Sequence, residues 1–127
     1  MKLKDAVCIV TGSATGTGAA CAIQLAKKGC RVVVNYTKSE KDATQTLAAC
    51  RAAGADAIMV KGDVGSDADC RALAAAALDK WGRIDALINN AGITKFAAAS
   101  DLDALDAEDF QRIYAVNVIG PYQMTRA

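Results

Sequence analysis

Three glycines in the run Thr11-Gly12-Ser13-Ala14-Thr15-Gly16-Thr17-Gly18 follow a short apolar stretch and open a segment of helical period. The spacing Gly-x-x-x-Gly-x-Gly suits capture of a diphosphate. One glycine permits a tight turn, one lets the backbone approach the pyrophosphate, and one lets helix and strand pack closely. The helix behind the turn offers free N–H groups and partial positive charge. A glycine-rich connection without a ligand is the alternative. The position between strand and helix favours the ligand, and makes Gly12, Ser13, Thr15, Gly16, Thr17 and Gly18 candidate cofactor-binding residues.

In dinucleotide folds an acid roughly 20 residues past the glycines, at the end of the second strand, grips a ribose 2′-hydroxyl. That place holds the uncharged Asn35 and Tyr36, followed by Lys38 and Ser39, which could meet a 2′-phosphate through charge and hydroxyl. These four residues join the candidate set, and the sequence predicts NADP(H) over NAD(H). A solvated loop lysine is the other reading of Lys38. Asp63 follows the third apolar run, at the carboxyl edge where ligands bind open α/β sheets, or is a turn aspartate bonding its own backbone. Asn117 interrupts an apolar stripe of Phe110, Ile113, Tyr114, Pro121 and Met124, so the pattern places a polar amide on a core-facing side. It could satisfy a carbonyl freed by Pro121, which clashes with the carbonyl four residues earlier.

Elements that hold these residues are legible in the pattern. Ala6–Val10, Arg31–Val34, Ala57–Val60 and Ala86–Ile88 are apolar at nearly every position, as buried parallel strands are. Helical segments run from Gly16 to Lys28 before Gly29, from Ser39 to Gly54, and from Ser66 to Trp81-Gly82 with Asp69 placed like the acid of a capping box. A loop spans Ile93 to Leu105, and a last helix runs from Asp106 to the end. The order βαβαβαβα predicts an α/β class, a doubly wound parallel sheet with helices on both faces.

The 127 residues suit one domain, and 53% hydrophobic against 23% charged residues is an ordinary globular balance. A net charge of +1 gives no reason to expect nucleic acid or an anionic membrane. The longest apolar run, Ala72–Leu78, is too short to span a bilayer, and no secretory leader forms at the start, so the expected location is cytoplasmic. Five irregularly spaced cysteines and no histidine argue against a metal site or disulfide framework, and for reduced structural thiols.

The glycine turn resembles the Thr-Gly-x-x-x-Gly-x-Gly turn of the short-chain dehydrogenases/reductases. Trp81-Gly82-Arg83-Ile84-Asp85-Ala86-Leu87-Ile88-Asn89-Asn90-Ala91-Gly92 is similar to that family's fourth-strand signature, and Gly62-Asp63-Val64, Asn117 and Gly120 match in family order. The resemblance covers essentially the whole chain and is nearest to members that reduce 3-oxoacyl groups. It implies a Rossmann-like sheet of about four strands, ordered 3-2-1-4, forming an NAD(P)-binding domain over residues 1–127. It also implies that Asp63 accepts from the adenine amino group beside Val64, and that Asn90, Ala91 and Gly92 pass the cofactor ribose. Asn89 would tie strands together, and Asn117 would be the catalytic asparagine that positions a water in a proton relay. The position before the second glycine, often basic in members using NADP, is Thr15.

The implied activity is hydride transfer between nicotinamide and a small carbonyl or alcohol. The family's serine and Tyr-x-x-x-Lys are not found: Tyr36, Tyr114 and Tyr122 are followed at that interval by Glu40, Val118 and Arg126. Tyr114 is thus expected in the core or an interface. Because complete members are about twice this long, the resemblance implies a truncated, inactive N-terminal half. An apolar sheet edge and helix stripe left open would drive self-association, or homo-oligomer formation. The alternative function is a non-catalytic nucleotide-binding module.

Overall fold

The computed structural model describes residues 1–127. Four parallel strands, β1 (Val7–Val10), β2 (Arg31–Tyr36), β3 (Ala57–Lys61) and β4 (Ala86–Ile88), form one sheet in the order β3-β2-β1-β4. Register pairs Cys8 with Val32 and Ala86, and Val33 with Ile58. Because side chains alternate across a strand, each face receives its own core. Cys8, Val10, Val32 and Val34 point to one face, and Val7, Ile9 and Val33 to the other.

On the first face lie α1 (Gly16–Lys27) and α2 (Glu40–Ala52), contributing Ala22, Ala26, Ala43, Leu47 and Cys50. On the second lies α3 (Asp67–Trp81), contributing Cys70, Leu73 and Ala77. Gly29 and Gly82 close their helices with positive φ, as their positions predict. Ser66 caps α3 by accepting from the Asp69 amide, but the capping box stays open. The Asp69 carboxylate accepts from the Asp63 amide at 2.9 Å instead of reaching back to Ser66. A closed box occurs at Asp106 and Asp109, at the start of the last helical stretch.

That stretch is not one regular helix. It consists of α4 (Ala107–Tyr114), a π-helical turn (Ala115–Ile119) and α5 (Gly120–Arg126). Pro121 has no N–H and its ring crowds the carbonyl four residues back, so an ordinary turn cannot continue through it. The widened turn, in which the Gly120 N–H bonds to the carbonyl of Ala115, accommodates it. Widening also rotates the buried face. Val116, Gly120 and Met124 pack inward, while Phe110 and Tyr114 are 65% and 59% exposed. The expected stripe through Phe110, Tyr114 and Asn117 therefore faces outward, and Tyr114 lies outside the core. Strand β4 is the sheet edge and only half-buried, unlike the central β1.

Candidate functional site

At the carboxyl ends of the strands, three polar side chains bind the connections into one knot. The Thr11 hydroxyl accepts from the amides of Asn90 and Ala91, each at 3.0 Å, joining the ends of β1 and β4. Asn90 Nδ2 donates back to the carbonyls of Thr11 and Gly12, also at 3.0 Å. On the other side Asn35 Oδ1 accepts from Gly12 N–H at 2.9 Å, and its Nδ2 donates to the Gly62 carbonyl at 3.0 Å. Asn35 is 1% exposed, and no buried polar side chain lacks a partner. Burial raises the cost of losing such bonds to about 1–3 kcal/mol per unsatisfied group.

The glycines fit this knot for distinct reasons. Gly12 has φ +61°, and a Cβ there would lie 2.8 Å from Ala91 Cα. At Gly18 a Cβ would come within 2.4 Å of Asn90 Nδ2 and of the Gly12 carbonyl oxygen, so only a bare backbone lets α1 start there. Gly16 differs: φ is +59° and a Cβ would meet nothing within 4 Å. Thr15, Gly16 and Thr17 thus edge an open mouth. The amides of Gly16, Thr17 and Gly18 donate to no group in the chain, Thr15 makes no side-chain cap, and the first turn of α1 carries no acid. Such an end is suited to an anion.

Beside the mouth lies a cleft of about 170 Å³. Gly12, Asn90 and Ala91 line it with Gly62, Asp63 and Val64, and Asn35, Thr37, Gly92, Ile93, Arg112 and Val116 complete it. Asp63 is held as a turn aspartate, its Oδ1 accepting from Gly65 N–H at 2.8 Å, while Oδ2 accepts from Arg112 at 2.6 Å. Val64 is nearly buried, packed where a Cβ on Gly120 would lie 2.7 Å from its Cγ2.

Other predicted residues stand elsewhere. Ser13 is fully buried, its hydroxyl donating to the Val10 carbonyl at 2.6 Å and accepting from Asn35 N–H at 2.9 Å. Because β2 extends to Tyr36, alternation sends Tyr36 to the face of α1 and α2, away from the cleft, and presents Thr37 to it. Lys38 and Ser39 are exposed beyond the cleft lining. Asn89 is exposed and makes no side-chain hydrogen bond; Asn90 does the tying. Asn117 sits in the π turn and is exposed, not core-facing. Its Oδ1 accepts from Ile93 N–H at 2.8 Å and its Nδ2 donates to the Ile93 carbonyl at 2.9 Å. The amide thus clasps the loop after β4 rather than a carbonyl freed by Pro121.

Three contributors were not singled out from sequence. Thr11, adjacent to Gly12, carried a positional signal. Thr37 would follow from a strand drawn two residues longer. Arg112 carried none, because only tertiary packing brings it to Asp63, 49 positions away.

Thiols lie away from the cleft. All five cysteines are free, and burial with the neighbouring Cys30 pushes Cys8 up to about 12. Burial also raises Cys50 and Cys70. At the opposite end of the sheet, the Arg83 guanidinium and the Val7 amide hold the Asp85 carboxyl below its ordinary range. No helix is long and apolar enough to cross a membrane.

The short chain dehydrogenase family model matches residues 6–127. An uncharacterized oxidoreductase of Methylorubrum extorquens is 43% identical over 126 residues, 99% of this chain and 50% of that protein. Tetrahydroxynaphthalene reductase of Pyricularia oryzae is 32% identical over 98% of this chain and 43% of its own length. A crystal structure of a short chain dehydrogenase/reductase from Burkholderia phymatum in complex with NAD superposes with a TM-score of 0.89. Its identity is 34%, over 99% of this chain and 43% of that one. The chain spans about half the length of the curated relatives it matches.

Proposed function

This chain belongs to the short-chain dehydrogenase family, and on that premise we propose that it is the dinucleotide-holding half of an NAD(P)(H)-dependent oxidoreductase. The observation that carries the reading is the open mouth of the first β-to-α turn. There Gly16 faces empty space, and three backbone amides lack partners at the start of a helix. In this reading the amides of Gly16, Thr17 and Gly18 receive the diphosphate, with Thr15 at the rim. Gly12 and Gly18 let the turn close tightly, and Asn35 and Ser13 hold its shape from beneath.

Asp63 and Val64 would hold the base, and Asn90, Ala91 and Gly92 would flank the ribose. The bound nicotinamide would exchange a hydride with a small carbonyl or alcohol. Asn117 is proposed as the relay asparagine. Its two bonds to Ile93 leave one amide hydrogen and one carbonyl lone pair for a water. The residues of this chain include no Tyr-x-x-x-Lys, so by itself it is proposed to bind without turnover.

NADP(H) is preferred over NAD(H) in this proposal. No acid ends β2, and the exposed Lys38 and Ser39 follow it within reach of solvent. The Burkholderia phymatum relative, 34% identical, holds NAD. Calorimetric titration of the folded chain with NADPH and NADH tests both levels. Tighter NADPH binding, narrowed by Lys38→Ala, is expected. Tighter NADH binding overturns the preference alone, whereas no binding of either overturns the dinucleotide reading.

A further inference from the structure

The cleft is lined by two charged side chains, Asp63 and Arg112, and they are bonded to each other. Arg112 reaches from α4 to the loop after β3, and the backbone beneath it is kept bare. A Cβ on Gly65 would lie 2.8 Å from Arg112 Nη1.

Asp63 is oriented from both sides. Gly65 N–H donates to one carboxylate oxygen at 2.8 Å and Arg112 to the other at 2.6 Å. Its own amide is tied to Asp69 at 2.9 Å. An ionised carboxylate accepts about four hydrogen bonds, so roughly two acceptor positions remain. The nearby wall of Val64, Ala91 and Val116 is apolar and suits a flat ring. A ring bearing an amino group finds an acceptor here, whereas one bearing a carbonyl sets lone pairs against lone pairs. Sites built around a polar group discriminate far better than apolar ones.

Resting on the dinucleotide reading above, we infer that Arg112 is a positioning residue for base specificity. By holding Asp63 in place, it makes the cleft select a 6-amino purine over a 6-oxo purine. Its effect passes through Asp63 and is absent without it.

The test uses calorimetric affinities for adenosine and inosine diphosphates in the parent, Arg112→Ala, Arg112→Lys, Asp63→Ala and the double variant. The parent is expected to prefer the adenosine form by about tenfold or more, and Arg112→Ala to shrink the ratio to about threefold or less. In the Asp63→Ala background, removing Arg112 should leave the ratio unchanged. An Arg112→Ala ratio equal to the parent's overturns the inference, as does an equal Arg112 effect without Asp63. Should Arg112→Ala fail to fold by circular dichroism, Arg112→Lys carries the comparison: its compact ammonium does not reproduce the Nη2 bond to Asp63 Oδ2, so the ratio should shrink here too, and a ratio equal to the parent's overturns the inference. A parent that binds neither diphosphate nor either nicotinamide dinucleotide defeats the dinucleotide reading as well. A parent that binds without discriminating defeats only this inference.

Discussion

At Asn35 and at Asn117 a side-chain amide clasps backbone, and each clasp holds residues that line one cleft. Asn35 is 1% exposed, and its bonds span the glycine turn and the end of β3. Asn117 is exposed and bonds only Ile93, a residue of the loop after β4. Around Asn35 the chain completes its own packing: Val7 through Val10 and Val32 through Val34 are buried. In the segment after β4 that carries Asn117, apolar side chains face outward, including Phe96 at 94%, Leu102 at 90% and Tyr122 at 62% exposed. One side is a finished scaffold and the other a rim. The same amide chemistry is structural where water is excluded and leaves bonding capacity free where water is present.

The largest expected effect comes from putting a carboxylate where a simple rule for NAD specificity would place one. Asn35→Asp keeps the acceptor for Gly12 but loses the donor to Gly62, and buries a charge against carbonyls. It should cost on the order of 3 kcal/mol in urea unfolding and confer no NAD preference. A stable variant that gained NAD affinity would show that the side chain at position 35 is free to bind ligand, and the contrast would fail.

Alkaline pH should come next. Cys8 is raised from 9.0 to about 12, so its stabilisation is intact below 9.0 and declines as pH rises towards 12. The unfolded thiol releases its proton first, and stability should fall by about 1 kcal/mol per pH unit in that window. Cys8→Ala should flatten the slope, and an unchanged slope would remove the buried thiol as its cause.

On the rim the effects shrink. Asn117→Ala should cost less than about 1 kcal/mol, because water can replace both bonds to Ile93, while Asn90→Ala in the knot should cost about 2 kcal/mol. Equal losses in thermal unfolding would erase the distinction. Smallest in stability, but visible in light scattering, is the open side of β4. An apolar groove of about 200 Å³ runs there along Ile9, Ile84, Leu87 and Met124. The chain should self-associate with concentration, and Ile84→Lys should reduce this while changing stability by only about 0.5 kcal/mol. A parent that stays monodisperse at every concentration would contradict the open edge.

Much of this was legible from residues alone. Apolar runs, glycine stops and the Ser66 cap mark most elements to within one or two residues, since each depends on local backbone preference and burial period. The strand order 3-2-1-4 follows from resemblance plus right-handed crossovers and is present in the sheet. A 3.6-residue period does not describe the last helical stretch, because the turn over Ala115–Ile119 widens to five-residue bonds ahead of Pro121, and Asn117 there faces outward.

The sequence by itself determined where the glycine turn lies between β1 and α1, because glycine's freedom at positive φ is a local property of the backbone. It also determined that a parallel sheet must hold that turn. Only tertiary structure decided which polar groups remain free. Ser13, Asn35 and Asp63 read alike as ligand contacts in one dimension. Folding spends the first two on backbone and pairs the third with Arg112, an arrangement set by distances between residues 22 to 49 positions apart.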